Sequence, residues 1–580
     1  MSISTLKTLN KKLEREFGGQ VFAGEENGCL VLNGKLDNWE DVTLAGALAA
    51  RSPFYRKAFK RGVYDGFVNN IEFTGGKIPP MKLPSVADMS LDGLKPDILV
   101  IGGGITGCAI ARELTRWKTD VLLVEKEHDV AMHASCRNDG MVHPGIDLLP
   151  GTLKFFYNKR GNVLYPHITR ELGVPFERVG QYLCFGAPLF KPILYASLLY
   201  WKRIGIVGVQ VVGKRELHKR EPGLRKDLDC ALFFPTAGIV CPYSLVIAYA
   251  ENAVQNGAKI SLDTAVLGME TKEGRILSVT TNRGVLFPKV VVNAAGVFAD
   301  EIAAMAGDKF FSIHPRKGTN AILDKKFTST IVKSIVSRLG TFSVKTHTKG
   351  GGIVRTAHGN VLVGPDARET FERENFSTSR ESIAAALNKF KQTSAVLNEG
   401  QIITYFTGVR APTYEEDFVI CKGKRTSNIV HAAGIQSPGL TAAPAIAQDV
   451  ARFAVELFAG SGPVVPENEN FNPIRPPIPH IAAMSYEERD ALIRQNSDFG
   501  VIVCRCEEVS RGEILESLRR PVPCDTVDGV KRRVRPGSGR CQGGFCGPLV
   551  LRIIAEEKAC PPEAVLKSVE GSNVTGGRTK

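Results

Sequence analysis

The sequence predicts an α/β chain of several domains, and three observations carry that prediction. Residues 96–460 alternate apolar strand patterns with helical ones, the order of elements that layers helices on a sheet. Within that stretch an apolar strand repeatedly runs into a glycine turn and a helix, at ILVIGGGITG, VVVNAAG and NIVHAAG. Near the C-terminus four cysteines stand in two tight pairs, VCRC and RCQGGFC, in a segment of their own. At 580 residues, 43% hydrophobic and 23% charged, the chain has the length of several domains and the composition of a soluble globular protein.

Residues 1–80 read as a small α/β unit. LNKKLEREFG has helical spacing, CLVLNGKL is a strand whose Asn-Gly suggests a turn, WEDVTLAGALAARS is a helix, and YDGFVNNIEFTG is a second strand. The pattern resembles a BON domain, a small module associated with binding or membrane-surface roles; a docking appendage without chemistry is the alternative. The Pro-rich KIPPMKLPSVADMSLDGLKP follows, giving a linker over 81–95, and GSGPVVPENENFNPIRPPIP opens a second over 461–497. The cysteine pairs fall in 498–565, and the tail 566–580 is expected to be disordered.

The N-terminal stretch has no apolar leader-like run, and PILYASLLYW, followed by Lys202 and Arg203, is too short to span a bilayer, so a cytoplasmic protein is expected. Thirteen cysteines in a reducing compartment are mostly buried thiols, and a clustered subset points to metal. The net charge of +14 suits an anionic cofactor, substrate, membrane surface or partner. No aromatic-interleaved basic stripe, zinc finger or helix-turn-helix is present, which argues against nucleic acid.

The strand Ile98 to Ile101 leads into Gly102-x-Gly104-x-x-Gly107, a helix, and a second apolar strand ending at Glu125. Gly102 permits the tight turn, Gly104 lets backbone approach a pyrophosphate, and Gly107 lets helix and strand pack closely. The helix N-terminus offers free N–H groups to phosphates, and Glu125 stands where a carboxylate accepts from a ribose diol. The fingerprint alone does not separate FAD from NAD.

The later segments do. KVVVNAAGVFADEIAAMAG, SNIVHAAGIQSPGL and ASCRNDGMVHPGIDLLPGTLK together resemble the flavin-dependent amino-acid oxidase/glycerol-3-phosphate dehydrogenase superfamily across about 96–460. The last segment is similar to the flavin-proximal stretch of the anaerobic glycerol-3-phosphate dehydrogenase large subunit and of L-2-hydroxyglutarate dehydrogenase. The resemblance implies a Rossmann-type FAD-binding domain with an interleaved substrate-binding sheet domain. It implies that Gly102, Gly104, Gly107 and Glu125 hold the ADP half of FAD, with Ser135, Arg137 and Asn138 along the pyrophosphate and flavin. Ala295 and Gly296 then contact the adenine side. Gly434, Gly439 and Leu440 bring a helix N-terminus to the flavin's pyrimidine edge, where it stabilises negative charge.

For substrate, the resemblance places His143 beside the flavin as a proton acceptor or a packing residue, with His358 a second candidate. It matches Arg410 to a residue that contacts an anionic group, for which a guanidinium's paired donors suit carboxylate or phosphate. Arg316, Lys317 and Arg355 are candidates for added positive charge or for solvated surface. Where the glycerol-3-phosphate enzymes carry an Arg-Tyr pair after their HxG segment, this chain reads HPGIDLLPGT, which leaves a 2-hydroxy acid open.

The cysteine set is Cys504-x-Cys506 and Cys541-x4-Cys546; by spacing, it suits zinc or an iron–sulfur cluster. VCRCEEVSRGEILESL and DTVDGVKRRVRPGSGRCQGGFC resemble the small helical bacterioferritin-associated-ferredoxin-like domain, which implies that the four cysteines ligate a 2Fe–2S cluster. The run KRRVRPGSGR is then expected beside the cluster's negative charge, while Cys524 and Cys560 are ordinary thiols. A cluster beside a flavin favours a dehydrogenase over an oxidase. The expected activity is oxidation of sn-glycerol 3-phosphate or an L-2-hydroxy acid, electrons passing to a partner subunit or quinone-linked chain, with a membrane surface as a candidate location. Amine oxidation, or a redox relay with a vestigial flavin pocket, are the alternatives.

Overall fold

The computed structural model describes residues 5–338, 351–460 and 462–577. At its centre is a six-stranded sheet in the order Lys259–Ser261, Val121–Val124, Ile98–Ile101, Val290–Asn293, Ile429–Ala433 and Val419–Lys422. Neighbours run parallel except the last pair. The inner strands are near-continuous apolar runs because both faces are covered. Ile98, Val100, Val121 and Leu123 share one core with the helices Ile105–Leu114, Pro242–Gln255 and Gly439–Ala459. Leu99, Ile101, Leu122 and Val124 turn the other way, onto a small antiparallel sheet of Val266–Lys272, Arg275–Thr281 and Gly284–Leu286.

A second sheet, of nine strands, draws on segments interleaved with the first, as the resemblance implied. Its strand Arg316–Leu323 pairs antiparallel with Ile402–Arg410 along their length, so Arg316 lies opposite Arg410. The described chain is thus an α/β core with small units at both ends.

The N-terminal unit has three strands, Val21–Glu26, Cys29–Leu36 and Gly66–Phe73, and three helices, Leu6–Phe17, Trp39–Ala50 and Pro53–Lys60. The expected Asn-Gly turn at Asn33–Gly34 does not form: both residues lie inside a strand, and Gly34 faces Val21. Gly34 is needed for close approach, since a Cβ there would stand 2.1 Å from the Gln20 carbonyl oxygen. The turn is made instead by Asn27–Gly28, both at positive φ, the conformation that a tight hairpin requires. The helix expected through Ser52 breaks there, because Ser52 caps a new helix by accepting from the Tyr55 N–H at 3.1 Å, with Pro53 in its first turn.

The segments expected as linkers are strapped to the body. Leu91 and Gly93 donate backbone bonds to Arg283 and Val285, extending the small antiparallel sheet. In 461–497 the chain forms the helix Tyr486–Gln495, started by a Ser485/Glu488 capping box. Residues 566–577, expected to be disordered, turn back so that Val527 and Asp528 N–H groups donate to the Leu566 and Lys567 carbonyls.

Candidate functional site

A cavity of about 1100 Å³ runs between the two sheets and beneath the N-terminal unit. Its floor is the glycine loop. Gly102 has φ +111°, and a Cβ on Gly107 would fall 1.8 Å from the Gly102 carbonyl oxygen, so the helix seats directly on the turn. The helix Ile105–Leu114 has glycine, Gly104, at its N-cap and so no cap from that residue; its first N–H, of Ile105, donates to Ser135 Oγ at 2.9 Å, and the N–H groups just after it stay open. Glu125 accepts from the N–H groups of Gly103 at 2.5 Å and Glu127 at 2.9 Å, and burial pushes its carboxyl up. These are the features a dinucleotide needs: open N–H groups at a helix start and a carboxylate at the end of the next strand.

Of the residues proposed for FAD, Gly104, Ser135, Arg137 and Asn138 line the cavity, as do Gly296, Gly439 and Leu440. Gly102, Gly107, Glu125, Ala295 and Gly434 do not line it. Asn138 braces its loop, donating to the Ser135 carbonyl and accepting from Gly140 N–H. Arg137 lies over the Phe376 ring at 4.1 Å. Gly434, at φ +66°, allows close approach of the Thr413–Asp417 loop. The helix Gly439–Ala459 also begins without a side-chain cap, and Tyr165 donates to the Leu440 carbonyl at 2.6 Å. Two uncapped helix starts therefore face one cavity, a fit for a cofactor anionic at its pyrophosphate and, when reduced, at its flavin.

His143 lines the same cavity and is buried. Its backbone N–H donates to Thr441 Oγ1 at 2.8 Å, and its backbone carbonyl accepts from Asn158 and Asn162, so the main chain here is held against the start of helix Gly439–Ala459. Arg410 ends its strand in the cavity wall. Among the described residues its side chain forms one hydrogen bond, to the Asp366 carbonyl at 3.2 Å, and no ion pair. Burial, and then the Arg316 charge, lower its pKa.

Arg316 reaches the cavity too, but its charge is already matched by Glu369 at 2.6 Å and Glu416 at 2.7 Å. Lys317 and Arg355 do not line it; Lys317 bonds Asn375 and Ser377, and Arg355 pairs with Glu177. His358 is not a cavity residue either. It sits in the turn between Gly352–Arg355 and Val361–Gly364, and burial, then Arg535, His480 and Lys325, hold its imidazole well below the ordinary range.

The N-terminal unit, which reads in sequence as a unit without chemistry, contributes to the cavity wall. Arg51 and Tyr55 line the cavity, Arg51 pairing with Glu416 at 3.1 Å and Tyr55 donating to Glu415 at 2.9 Å. Glu416 thereby collects Arg51, Arg316 and Lys154, and these cations overcome burial to depress its pKa. The signal available was the acidic pair in APTYEEDF, which has no local partner.

At the C-terminus Cys504 and Cys506 stand with sulfurs 3.8 Å apart. Cys546 faces Cys504, and Cys541 faces Cys506. Hydrogen bonding from Cys546 brings the Cys504 thiol down to about 5, and the N–H groups of Phe545 and Gly543 lower Cys541. Paired thiols with backbone donors aimed at them suit an iron–sulfur cluster. Gly539 is required beside them, since a Cβ would lie 2.4 Å from Cys506 Sγ. Cys524 and Cys560 lie outside the two pairs in sequence; Cys524 is buried, and Cys560 only partly.

Several cations of the basic run beside the cysteines also dock the domain to the rest of the chain. Arg532 and Arg533 bind Asp129, four residues after Glu125. Arg535 joins Tyr243 OH at 3.0 Å to Glu507, the neighbour of Cys506. Lys325 also reaches Glu507, and Arg540 reaches Asp324. The cysteine domain is thus fastened to both sheets.

Residues 97–453 match the family described as FAD dependent oxidoreductase, and residues 502–556 match the BFD-like [2Fe-2S] binding domain. The chain is 37% identical over 491 residues to a glycerol 3-phosphate dehydrogenase of Caloramator mitchellensis, covering 83% of this chain and 99% of that protein. It is 24% identical to the anaerobic glycerol-3-phosphate dehydrogenase subunit A1 of Haloferax volcanii, over 80% and 83% of the two chains. In structure it resembles the FAD-bound L-alpha-glycerophosphate oxidase of Mycoplasma pneumoniae, with TM-score 0.58 and 28% identity over 66% of this chain and 98% of that one. With its dinucleotide cradle, paired uncapped helices and four-thiol centre, this chain belongs to the FAD dependent oxidoreductases and carries a 2Fe–2S domain at its C-terminal end.

Proposed function

We propose that this oxidoreductase converts sn-glycerol 3-phosphate to dihydroxyacetone phosphate. The observation that carries the reading is Arg410, a guanidinium set in the cavity wall with no carboxylate partner among the described residues. A guanidinium in a cavity wall that makes no ion pair with the carboxylates around it keeps its donors available to an arriving anion. The likeness to glycerol 3-phosphate dehydrogenases over most of the chain supports phosphate as that anion.

When bound, FAD supplies two-electron oxidation at the substrate carbon and the 2Fe–2S centre supplies one-electron transfer outward. Arg410 holds the phosphate and fixes which carbon faces the flavin side of the cavity. His143 takes the hydroxyl proton, its backbone held at the cavity by Thr441 and the two asparagines. The Arg51–Glu416–Lys154 network closes the cavity on the side of the N-terminal unit and keeps it positive. Electrons leave to a separate acceptor, a partner subunit or a quinone-linked chain, and the Haloferax volcanii relative is itself described as a subunit.

A second reading, an L-2-hydroxy acid, is favoured by the segment after His143. It puts Ile146, Asp147 and Leu148 in the cavity wall, with no cation among them. Anaerobic absorbance titration separates the two. Flavin bleaching by glycerol 3-phosphate supports the first reading. Bleaching by L-2-hydroxyglutarate alone replaces it. Bleaching by neither removes both and turns attention to amines.

A further inference from the structure

The helix Lys191–Ile204, KPILYASLLYWKRI, is apolar on two opposite sides. Leu194 is buried, and Leu198, Trp201 and Ile204 pack partly against the same core with Phe185 and Phe234. These positions, spaced i, i+4, i+7, hold the helix to the protein. The opposite stripe faces outward. Leu199 is 77% exposed and Ile193 64%, and just beyond the helix ends Leu189 is 83% and Val207 64% exposed. Tyr195 and Tyr200 are exposed beside them. The neighbouring helix Leu153–Glu171 adds exposed Phe156 and Val163, and its Lys159 donates to the Ile204 carbonyl, which ties the two helices together. A surface helix ordinarily presents polar residues on its outer side; an apolar outer stripe marks a surface that is covered in use.

Charge says what covers it. From residue 178 to residue 215 the chain contains no Asp or Glu, but has Arg178, Lys191, Lys202, Arg203, Lys214 and Arg215, of which Lys214 pairs with Asp229 at 2.7 Å. Lys202 and Arg203 are exposed and in no ion pair among the described residues. A second copy of the chain docking here face to face would set these cations against their equals. An acidic lipid headgroup layer would pair them, while the leucines and isoleucine enter the acyl boundary and the tyrosines sit at the interface. The helix has 14 residues, roughly 21 Å, which is too short to cross the hydrocarbon layer but sufficient to lie in its plane. No helix among the described residues is long and apolar enough to cross a membrane.

We infer that the outer face of Lys191–Ile204 is a docking surface for an anionic lipid bilayer. This deepens the acceptor reading above by bringing the chain to a membrane, yet it stands on the surface alone and does not depend on the substrate.

The test is vesicle flotation of the full-length, FAD- and cluster-loaded protein, with phosphatidylcholine vesicles and with phosphatidylcholine–phosphatidylglycerol vesicles, at low and high salt. The protein should float with the phosphatidylglycerol vesicles and do so less at high salt. I193S with L199S should weaken partition at least tenfold, to about one part in ten or less. K202Q with R203Q should weaken it about 30-fold on anionic vesicles only. FAD absorbance, unchanged in every variant, verifies that the chains are folded. No flotation, or flotation equal in wild type and variants, overturns the inference. So does light scattering that shows a dimer which L199S dissociates, since the face would then be covered by a second copy.

Discussion

Replacing Asp129 by alanine tests how the cysteine domain is held against the flavin domain. The Asp129 side chain is 3% exposed and that of Arg533 1% exposed, with Arg533 donating to both carboxylate oxygens at 2.9 and 3.1 Å. Burial alone would raise the Asp129 carboxyl; Arg533 and Arg532 overcome it and hold it down to about 2 from 3.8. That drop corresponds to about 2 kcal/mol favouring the docked form. Because the docked value is the lower one, this stabilisation is present above about pH 4 and is lost as pH falls through about 2. Alanine does more than remove it, because it strands a buried guanidinium, and the expected cost is about 3–5 kcal/mol. Arg532, at 12% exposure, can turn to water, but Arg533 cannot. A multidomain chain does not unfold in one step, so a global melting midpoint is a poor measure. Hydrogen exchange of the amides in the helix Val527–Val534 reads the local opening directly. Exchange there should accelerate by more than about a hundredfold in Asp129→Ala. The double variant Asp129→Leu with Arg533→Met, which removes both charges, should recover most of the protection. Unchanged exchange in the single variant, or equal loss in both, would refute the assignment of this pair as the lock.

Three further outcomes follow from the site. Gly107→Val places side-chain carbon where the Gly102 carbonyl oxygen lies 1.8 Å away, so the helix must leave the turn; the purified protein should lack FAD absorbance while keeping the cluster's. Arg410→Ala should lower kcat/KM for glycerol 3-phosphate by about 10–150-fold, the worth of a charged hydrogen bond to an anion, with FAD still bound; Arg410→Lys should recover part of it. Cys541→Ser should abolish the iron–sulfur absorbance and reduction of a one-electron acceptor, yet leave anaerobic bleaching of the flavin by substrate intact; loss of bleaching would mean the cysteine domain also shapes the substrate cavity.

The two cofactor sites were legible in the sequence because each is built from neighbours along the chain. Gly102, Gly104, Gly107 and Glu125 fall within one strand–helix–strand unit, and each cysteine pair lies within six residues, so spacing alone carries most of the geometry. The alternating elements of 96–460 likewise announced a layered α/β core. What the sequence left open is what depends on residues far apart. An Asn-Gly pair reads the same at Asn27–Gly28 and Asn33–Gly34, and only strand pairing decides that the first turns and the second packs. A basic run reads as a counter-charge for a cluster until Asp129, about 400 positions earlier, is seen to take two of its arginines. His358 and His143 look alike as candidates, and the sheet carries one into the cavity and the other into a turn beside the cysteine domain. The N-terminal unit showed no sign of chemistry, yet Arg51 and Tyr55 complete the cavity wall through Glu416 and Glu415. Local spacing determines which groups can bind a cofactor; the balance of buried charges across the chain, which only tertiary packing sets, decides which cations remain free for an anion and which fasten one domain to the next.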